Sequence, residues 1–223
     1  MTDKGITPSL DQFTAFSLTA LDREMLSMTD SQFTPHNWTE TQTLIAQNRL
    51  EDFKRYPSDL RRYLLWSQKT KSDYGSVMNF VLRERLQWTP IDDGAVPPRF
   101  EVCDQELFAN EQDFQVLRND WPYGLEKGIV HLVVWLKNVV PVEPKTGDVT
   151  DAARRRINDF VQIRFVAPLD GIFGLGHGKD HVVWFKNWVA LQSVRGVDHV
   201  HVLVKDAPGE LIEQWIDHKR HES

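Results

Sequence analysis

The sequence predicts an α+β fold, because helical spacing dominates its first half and strand-like runs dominate its second. Apolar residues recur at helical intervals over residues 39–56 and 74–86. Ile129–Leu136 is an almost unbroken run of β-branched and apolar residues, which is typical of a central, buried strand. Residues 150–160 have a helical apolar face and lie between strand candidates. We therefore expect N-terminal helices, an antiparallel sheet and one crossing helix.

Caps, prolines and glycines set the expected boundaries of these elements. Pro57 ends the first helix, and Ser58 is expected to cap the next one, because its hydroxyl can accept a first-turn N–H. The stretches 89–99 and 171–180 are rich in Pro or Gly and predict loops, and a short helix is expected over 211–218. The strand candidates, which predict a sheet of about five strands, are 114–117, Ile129–Leu136, 165–166, 181–185 and 200–204.

Length and patterning predict one domain preceded by a tail. The chain has 223 residues, which fits one large domain. Residues 1–36 are rich in Thr, Ser, Asp and Gln and show no sustained period. We expect a loosely ordered N-terminal segment over 1–36 and a single α+β domain over 37–218.

Composition excludes several classes of protein. The chain has 26 Lys and Arg against 32 Asp and Glu, and this net charge of −6 argues against general nucleic-acid binding. Its one cysteine, Cys103, excludes an intrachain disulfide and a cysteine-based zinc site. Neither a signal-peptide core nor an apolar run of membrane-spanning length is present in the sequence. A cytoplasmic location is expected, and a chain of this size can also enter the nucleus.

The paired histidines His199 and His201 are the first candidate site. Residues two apart on a strand point to the same face, so the two imidazoles should lie side by side, with Val200 and Val202 on the other face. Adjacent imidazoles resist double protonation, which favours a neutral ring that can act as a nucleophile or a metal ligand. The alternative is a strand end with two partly wet histidines.

Two other segments carry polar residues in unusual surroundings. In residues 119–123, an Asx-Pro turn could aim Asn119 or Trp121 at a ligand, although a rigid structural turn explains the same pattern. In residues 184–188, Asn187 offers a donor and an acceptor, and Lys186 could neutralise phosphate charge. A solvated lysine is the alternative for Lys186.

Metal and phosphate-loop motifs are weak in this sequence. His177 and His181, together with the later pair, supply enough imidazoles for zinc, but they flank a Gly-rich loop and no HExxH motif exists. Gly178 and Lys179 do not complete a Walker motif, although the loop could act as a lid. We predict no cofactor and no metal, and keep a small His-ligated metal enzyme as one alternative.

Three segments together resemble a fungal protein family. NDWPYG at 119–124, IVHLVVW at 129–135 and WFKNWVALQSV at 184–194 are similar to the fungal N-acetylglucosamine-induced protein family, over roughly residues 38–204. That resemblance implies an intracellular fungal protein linked by expression to amino-sugar use. It implies no reaction.

The order of the motifs also resembles the histidine-triad and galactose-1-phosphate uridylyltransferase superfamily. That superfamily has an Asn-containing turn, a central strand, a crossing helix, a Phe-x-Asn strand and a Ser before His-x-His. The resemblance implies that His201 attacks the α-phosphate of a nucleotide and that His199 supports it. It also implies that Ser193 contacts phosphate, and that Asn119 and Asn187 hold ribose or phosphate.

One departure from the superfamily bears on catalysis. The superfamily has a third His or a Gln two residues after the pair, where this chain has Leu203, which cannot donate to phosphate. The first hypothesis is therefore a protein that binds a nucleotide or nucleotide sugar, with nucleotidyl transfer or hydrolysis through His201. The alternatives are a non-catalytic binding or regulatory protein on the same histidine-triad-like fold, and the metal-dependent enzyme.

Overall fold

The computed structural model describes residues 13, 16–92, 94–95 and 97–216. The chain divides into two units. The first unit runs to Val77 and also includes Asp120–Lys127. The second contains Met78–Asn119 and the chain from Gly128 onward. The expected division into a loosely ordered segment over 1–36 and one domain over 37–218 stays a prediction, and residues 1–12, 14 and 15 of that segment lie outside the described residues.

The first unit is helical. Its helices are α1 (Ala20–Leu26), α2 (Trp38–Ala46) and α3 (Pro57–Tyr74), with 3₁₀ turns at Asp30–Gln32 and Leu50–Asp52. Helices α1 and α3 pack on an apolar cluster whose buried members are Phe13, Met25, Leu26, Phe33, Leu60 and Leu64. The side chains of α3 recur every three or four residues in this cluster, which is the period that the sequence predicts.

The cap of α3 differs from the expected one. Pro57 is the first residue of the helix and Tyr56 is the N-cap, so Ser58 lies inside the first turn. The carboxylate of Asp30 accepts hydrogen bonds from the backbone N–H of Ser58 at 2.8 Å and from its hydroxyl at 2.6 Å. The prediction that Ser58 caps the helix is therefore wrong, because a proline needs no partner at the first position and an acid from elsewhere in the chain satisfies the next N–H.

A four-stranded antiparallel sheet forms the centre of the second unit. Its strands are β1 (Phe114–Arg118), β2 (Ile129–Leu136), β3 (Val182–Phe185) and β4 (His199–Lys205), in the order β1-β2-β4-β3. β2 and β4 are the central strands, which agrees with the apolar character of Ile129–Leu136.

The predicted fifth strand at 165–166 is wrong. Those residues end a π-helical turn, Gln162–Val166, that joins α5 (Asp151–Val161) to α6 (Ala167–Phe173). Phe165 is fully buried through helical spacing, one turn after Val161 and one turn before Leu169. A two-residue apolar step fits a buried helix as well as a strand, so periodicity alone could not decide between them.

Helices cover one face of the sheet. α5 starts where expected, since the Thr150 hydroxyl accepts the N–H of Ala153 at 3.3 Å, and α7 (Gly209–Trp215) closes the described chain. The helix expected over 211–218 thus begins two residues earlier, and positions 217 and 218 lie outside the described residues. The remaining helix, α4 (Val77–Phe80), continues into a π-helical turn at Val81–Leu86. Among the helices described, none is long and apolar enough to cross a membrane.

The Gly-rich segment packs onto the end of α6. The Asp170 carboxylate accepts the backbone N–H groups of Gly176 at 3.1 Å and of Gly178 at 2.7 Å. An ideal Cβ on Gly178 would lie 2.3 Å from the carbonyl oxygen of Val166. The internal carboxylate already occupies the N–H groups that a phosphate would need, so this loop is not a phosphate cradle.

Alanine substitution should change the free energy of unfolding in opposite directions at Gly178 and Gly171. Gly178→Ala should lower the free energy of unfolding by about 2 kcal/mol, because the added methyl overlaps backbone atoms that cannot move independently. Gly171, within α6, has no atom within 4 Å of an ideal Cβ, so Gly171→Ala should raise it by roughly 0.5–1 kcal/mol. Urea unfolding of both variants measures the difference, and similar values for the two would contradict this packing.

Candidate histidine site

The two faces of β4 differ in chemistry. Val200, Val202 and Val204 lie in the apolar core beneath the helices, whereas His199 and His201 point to the opposite face. This alternation confirms the prediction from the sequence. Both imidazoles are buried, with 4% and 6% of their residue surface exposed, so the alternative of partly wet histidines is wrong.

A third histidine joins the pair from the neighbouring strand. His131 on β2 lies diagonally across from His201, because the register pairs His131 with Leu203 and Val133 with His201. Nε2 of His131 lies 2.9 Å from Nδ1 of His201, which is a hydrogen bond between two buried rings. Only one of these two nitrogens carries the bonding proton, since two facing N–H groups would repel each other.

Asparagine side chains flank this pair at both ends. The backbone N–H of Asn119 donates to the carbonyl of His131 at 2.9 Å, which extends the β1–β2 ladder by one residue. The side-chain Nδ2 of Asn119 then lies 3.1 Å from Nε2 of His131. At the other end, Nδ2 of Asn187 lies 3.2 Å from Nε2 of His201. We call Asn119, His131, His201 and Asn187 the histidine network.

The histidine network can hold its protons in either of two orders, which depend on the orientation of the asparagine amides. When both asparagine amides donate, Nε2 of His131 is unprotonated, and its single lone pair is shared between the Asn119 amide at 3.1 Å and the Nδ1–H of His201 at 2.9 Å. Nε2 of His201 is then unprotonated and accepts from the amide of Asn187. Rotation of both amides by half a turn would reverse every donor and acceptor, so the two ends of the network are coupled. Such a pair of rings can pass a proton from one to the other.

Phe185 shapes the surroundings of the His201 ring. It is the direct cross-strand partner of His201 on β3, and the two rings stack with centroids 4.8 Å apart and planes 13° apart. The loop after β3 holds Asn187 in place, since its carbonyl accepts a hydrogen bond from Gln192 Nε2 at 2.8 Å. Stacking on one side and hydrogen bonds at both nitrogens fix the orientation of the His201 ring.

His199 has a different environment from His201. Its ring lies 4.5 Å from that of Trp135, its cross-strand partner, and its Nδ1–H donates to the carbonyl of Val197 at 2.8 Å. The pKa of His199 is lowered to about 4, mainly by burial and to a smaller extent by the nearby Lys186 charge. The hydrogen bond to Val197 acts in the opposite direction but does not offset burial. His199 is therefore neutral at pH 7.

Lys186 forms a buried ion pair beside His199. Its Nζ lies 2.8 Å from Oδ1 of Asp198, and the exposed fractions of the two side chains are 6% and 20%. The second carboxylate oxygen of Asp198 accepts the backbone N–H of Val140 at 2.9 Å. The alternative of a solvated Lys186 is therefore wrong, and its charge is already matched by a carboxylate.

Two of the residues predicted for the site are not members of the histidine network as defined above. Ser193 is exposed, in the loop between β3 and β4. Trp121 belongs to the first unit, where its ring contacts Tyr63 and Trp66 at 5.6 and 5.2 Å. The boundary between the two units therefore falls inside the 119–123 turn, directly after Asn119.

Sequence reasoning missed His131 and Asp198. A signal for His131 existed, because an imidazole within an apolar eight-residue strand must be buried and needs a polar partner. No comparable signal existed for Asp198, which lies in a loop without a repeating pattern. Within the described residues, no group of three or more His, Cys, Asp or Glu side chains is arranged to hold a metal ion. The geometry therefore gives the metal-dependent alternative no support.

Comparison with known proteins identifies the family. A family described as "Protein of unknown function (DUF3605)" matches residues 37–205, which include every member of the histidine network. The chain belongs to this family.

Two fungal relatives and one solved structure are similar to this DUF3605 chain. "N-acetylglucosamine-induced protein 1" of Candida albicans is 30% identical over 193 residues, which cover 82% of this chain and 73% of that protein. "Uncharacterized protein YPL067C" of Saccharomyces cerevisiae is 33% identical over 168 residues, which cover 75% and 77%. A structure titled "Crystal Structure of HTC1" has a TM-score of 0.60 at 30% identity and covers 80% of this chain and 91% of that one. The resemblance to the fungal N-acetylglucosamine-induced family is thus confirmed.

Burial of neutral His199 in this DUF3605 chain predicts a pH-dependent stability. The ordinary pKa is 6.5 and the folded value is about 4, so the unfolded chain binds more protons at this residue between these pH values. The free energy of unfolding should fall by about 3 kcal/mol as the pH drops through this window. His199→Gln removes this titration and should flatten the dependence. Urea titrations from pH 7 to 4 measure both slopes, and equal slopes would contradict the assignment.

The hydrogen bond between His131 and His201 predicts energetic coupling. His131→Phe or His201→Phe alone removes this bond while leaving the other buried ring without it, at a cost of about 1–3 kcal/mol each. The double variant removes both rings, so its cost should be smaller than the sum by roughly 0.5–3 kcal/mol. A double-mutant cycle on the free energy of unfolding measures this difference. Strict additivity would show that the two rings do not interact.

Proposed function

We propose that this chain binds a nucleotide or nucleotide sugar at the histidine network, and that His201 is the nucleophile for nucleotidyl transfer or hydrolysis. The observation that carries the proposal is the hydrogen bond between the rings of His131 and His201, with an asparagine amide at each end. In a hydrogen-bonded imidazole pair, one ring has an unprotonated nitrogen that can attack, and the other ring can accept its remaining proton. These are the two requirements of a histidine nucleophile.

The order of motifs along the chain supports the same proposal. The resemblance to the histidine-triad and galactose-1-phosphate uridylyltransferase superfamily assigns roles to Asn119, Asn187, Ser193 and the two paired histidines. Asn119 and Asn187 lie within 3.2 Å of imidazole nitrogens of the network, although they are 68 positions apart by residue number (187 − 119). His131 is an addition to that pattern.

The proposed reaction has two steps at the α-phosphorus of the nucleotide. Nε2 of His201 attacks phosphorus to form an N–P bond, and the bond to the leaving phosphate or pyrophosphate oxygen breaks. As positive charge develops on the ring, the Nδ1 proton is shared with Nε2 of His131. Water or an acceptor hydroxyl or phosphate oxygen then attacks phosphorus and the N–P bond breaks. The proton of an attacking water or hydroxyl passes to a phosphate oxygen of the product and from there to solvent, and the Nδ1 proton returns fully to His201. The role of His131 is to hold the tautomer and stabilise the imidazolium.

Donors to the phosphate oxygens come from the loop after β3 in this proposal. Leu203 is fully buried and supplies no donor where the superfamily has a His or Gln. The amide of Asn187, once it turns from His201 to the ligand, donates to one phosphate oxygen. Lys186 supplies a charge if the ligand displaces Asp198 from it. Charge development in the transition state requires at least one such donor.

A non-catalytic binding or regulatory protein is the second candidate. The observation that favours it is the burial of His201, which is 6% exposed, stacked on Phe185 and hydrogen-bonded at both nitrogens. A nucleophile that is already satisfied must lose a hydrogen bond before it can react. In this candidate the network recognises a nucleotide without forming a covalent bond.

The biological setting comes from the relatives. The name of the Candida albicans relative says that it is induced by N-acetylglucosamine. We propose that this chain likewise belongs to a response to amino sugars, in the cytoplasm and, given its size, also in the nucleus. A nucleotide sugar that carries an amino sugar is then the ligand to test first.

Intact-mass spectrometry of a trapped intermediate tests the covalent proposal. The wild-type chain is mixed with nucleoside triphosphates and nucleotide sugars and quenched without acid, because phosphohistidine is acid-labile. We expect a nucleotidyl adduct on wild type and none on His201→Ala. The control is His177→Ala, which removes an exposed imidazole outside the network and should keep the adduct.

Thermal-shift measurements on the same panel separate the two candidates. A shift without an adduct supports the binding protein, and an adduct supports the transferase or hydrolase. Neither signal across the panel would overturn both. An adduct that survives in His201→Ala would contradict the assigned nucleophile.

A further inference from the structure

A cleft lies in the helical layer, on the side of the sheet opposite the histidine network. It has a volume of about 600 Å³, within the range of small-molecule sites. One wall is the outward face of α5 and the π-helical turn, with Phe160 and Ile163, and the opposite wall is the face of α7, with Leu211 and Trp215. The loop before β1 closes one end with Phe108.

The cleft surface is aromatic. The rings of Phe108 and Phe160 stack with centroids 4.1 Å apart and planes 11° apart, and Phe114 packs edge-on against Phe160 at 5.0 Å. Ile163 is 74% exposed and adds apolar surface to the wall of the cleft. A planar apolar molecule would cover this surface and remove it from water.

The backbone departs from regular geometry at two places in the cleft wall. Phe108 has a φ of +65°, a conformation that bulky side chains rarely adopt. The π-helical turn Gln162–Val166 brings Ile163 and Arg164 to the cleft. Both departures are costly, and such features concentrate at binding sites.

Arg164 supplies an unmatched positive charge. Arg156, also in the wall, forms an ion pair with Glu106. Arg164 is half-buried, has no carboxylate partner among the described residues, and its Nε is buried without a hydrogen bond. A half-buried charge is screened less than the exposed acids Glu111 and Asp159 at the rim. Those acids disfavour a multiply charged ligand.

We propose that this cleft binds a small aromatic molecule that carries a single negative charge. The aromatic body contacts the Phe108–Phe160 stack and Ile163, and the anionic group lies at Arg164. This site is separate from the nucleotide site proposed above, because the rim acids oppose a polyphosphate and the cleft lies on the other face of the sheet. The two proposals can therefore fail independently.

Fluorescence titration with anilinonaphthalene sulfonate, an aromatic sulfonate, tests the proposal on the full-length chain. We expect saturable binding of one dye per chain. Arg164→Gln should weaken it about fivefold, the effect of one partly exposed ion pair. Arg155→Gln makes the same charge change on an exposed residue of α5 outside the cleft and should leave it unchanged. Arg164→Lys keeps the charge and should restore part of the affinity.

Neutral phenylnaphthylamine separates the apolar contribution from the ionic one. Arg164→Gln should leave the binding of this neutral dye unchanged. Ile163→Ser should weaken the binding of both dyes, and it should preserve folding because position 163 is exposed. Near-UV circular dichroism shows whether each variant retains its tertiary structure. The proposal is overturned by the absence of saturable dye binding, by equal effects of Arg164→Gln and Arg155→Gln, or by unchanged binding in Ile163→Ser.

Discussion

The hydrogen bond between His131 and His201 joins the two central strands of the sheet on the face that carries the buried histidines. Its partners are 70 positions apart in the chain and meet only because β2 and β4 pair in one register. A slip of β4 by one residue would turn His201 toward the apolar core beneath the helices and away from His131. Burial of these rings therefore depends on the register, and the register is reinforced by the bond between them.

The sheet separates two kinds of chemistry by the alternation of its side chains. Beneath it, Val200, Val202 and Val204 pack with helices α5, α6 and α7 into a continuous apolar core. On the opposite face, buried polar groups are paired: His199 bonds to Val197, and Lys186 pairs with Asp198. Buried polar groups are costly unless they are paired, so the stability of the fold depends in part on keeping these pairs.

Much of the fold could be predicted from local patterns, and most of what could not depends on contacts between distant residues. The alternation of His199-Val200-His201 was sufficient to place both imidazoles on one face, and the run Ile129–Leu136 was sufficient to identify a central strand. The strand predicted at 165–166 failed, because two apolar residues fit a buried helical turn equally well. The cap of α3 failed, because Asp30 reaches it from a different part of the chain. Neither the helical packing of residues 165–166 nor the contact of Asp30 with Ser58 could be predicted from the spacing of residues.

The proposed site contains residues that the sequence predicts and one that it does not. Asn119, Asn187 and His201 were predicted as site residues and lie in one hydrogen-bonded network, whereas Ser193 is exposed and Trp121 packs in the other unit. His131 was missed, because a single imidazole in an apolar strand carries no motif. Its importance appears only once the register brings it diagonally across from His201.

Nitrogen-15 NMR of a chain labelled at histidine tests the central claim most directly, because it reports the protonation of each ring nitrogen. At pH 7 the claim predicts one protonated and one unprotonated nitrogen across the contact of His131 and His201. We also expect the ring-nitrogen signals of His131 and His201 to shift together when a bound nucleotide or nucleotide sugar displaces the Asn187 amide. Two protonated nitrogens across the contact, or ring signals that do not respond to any ligand shown to bind, would contradict it.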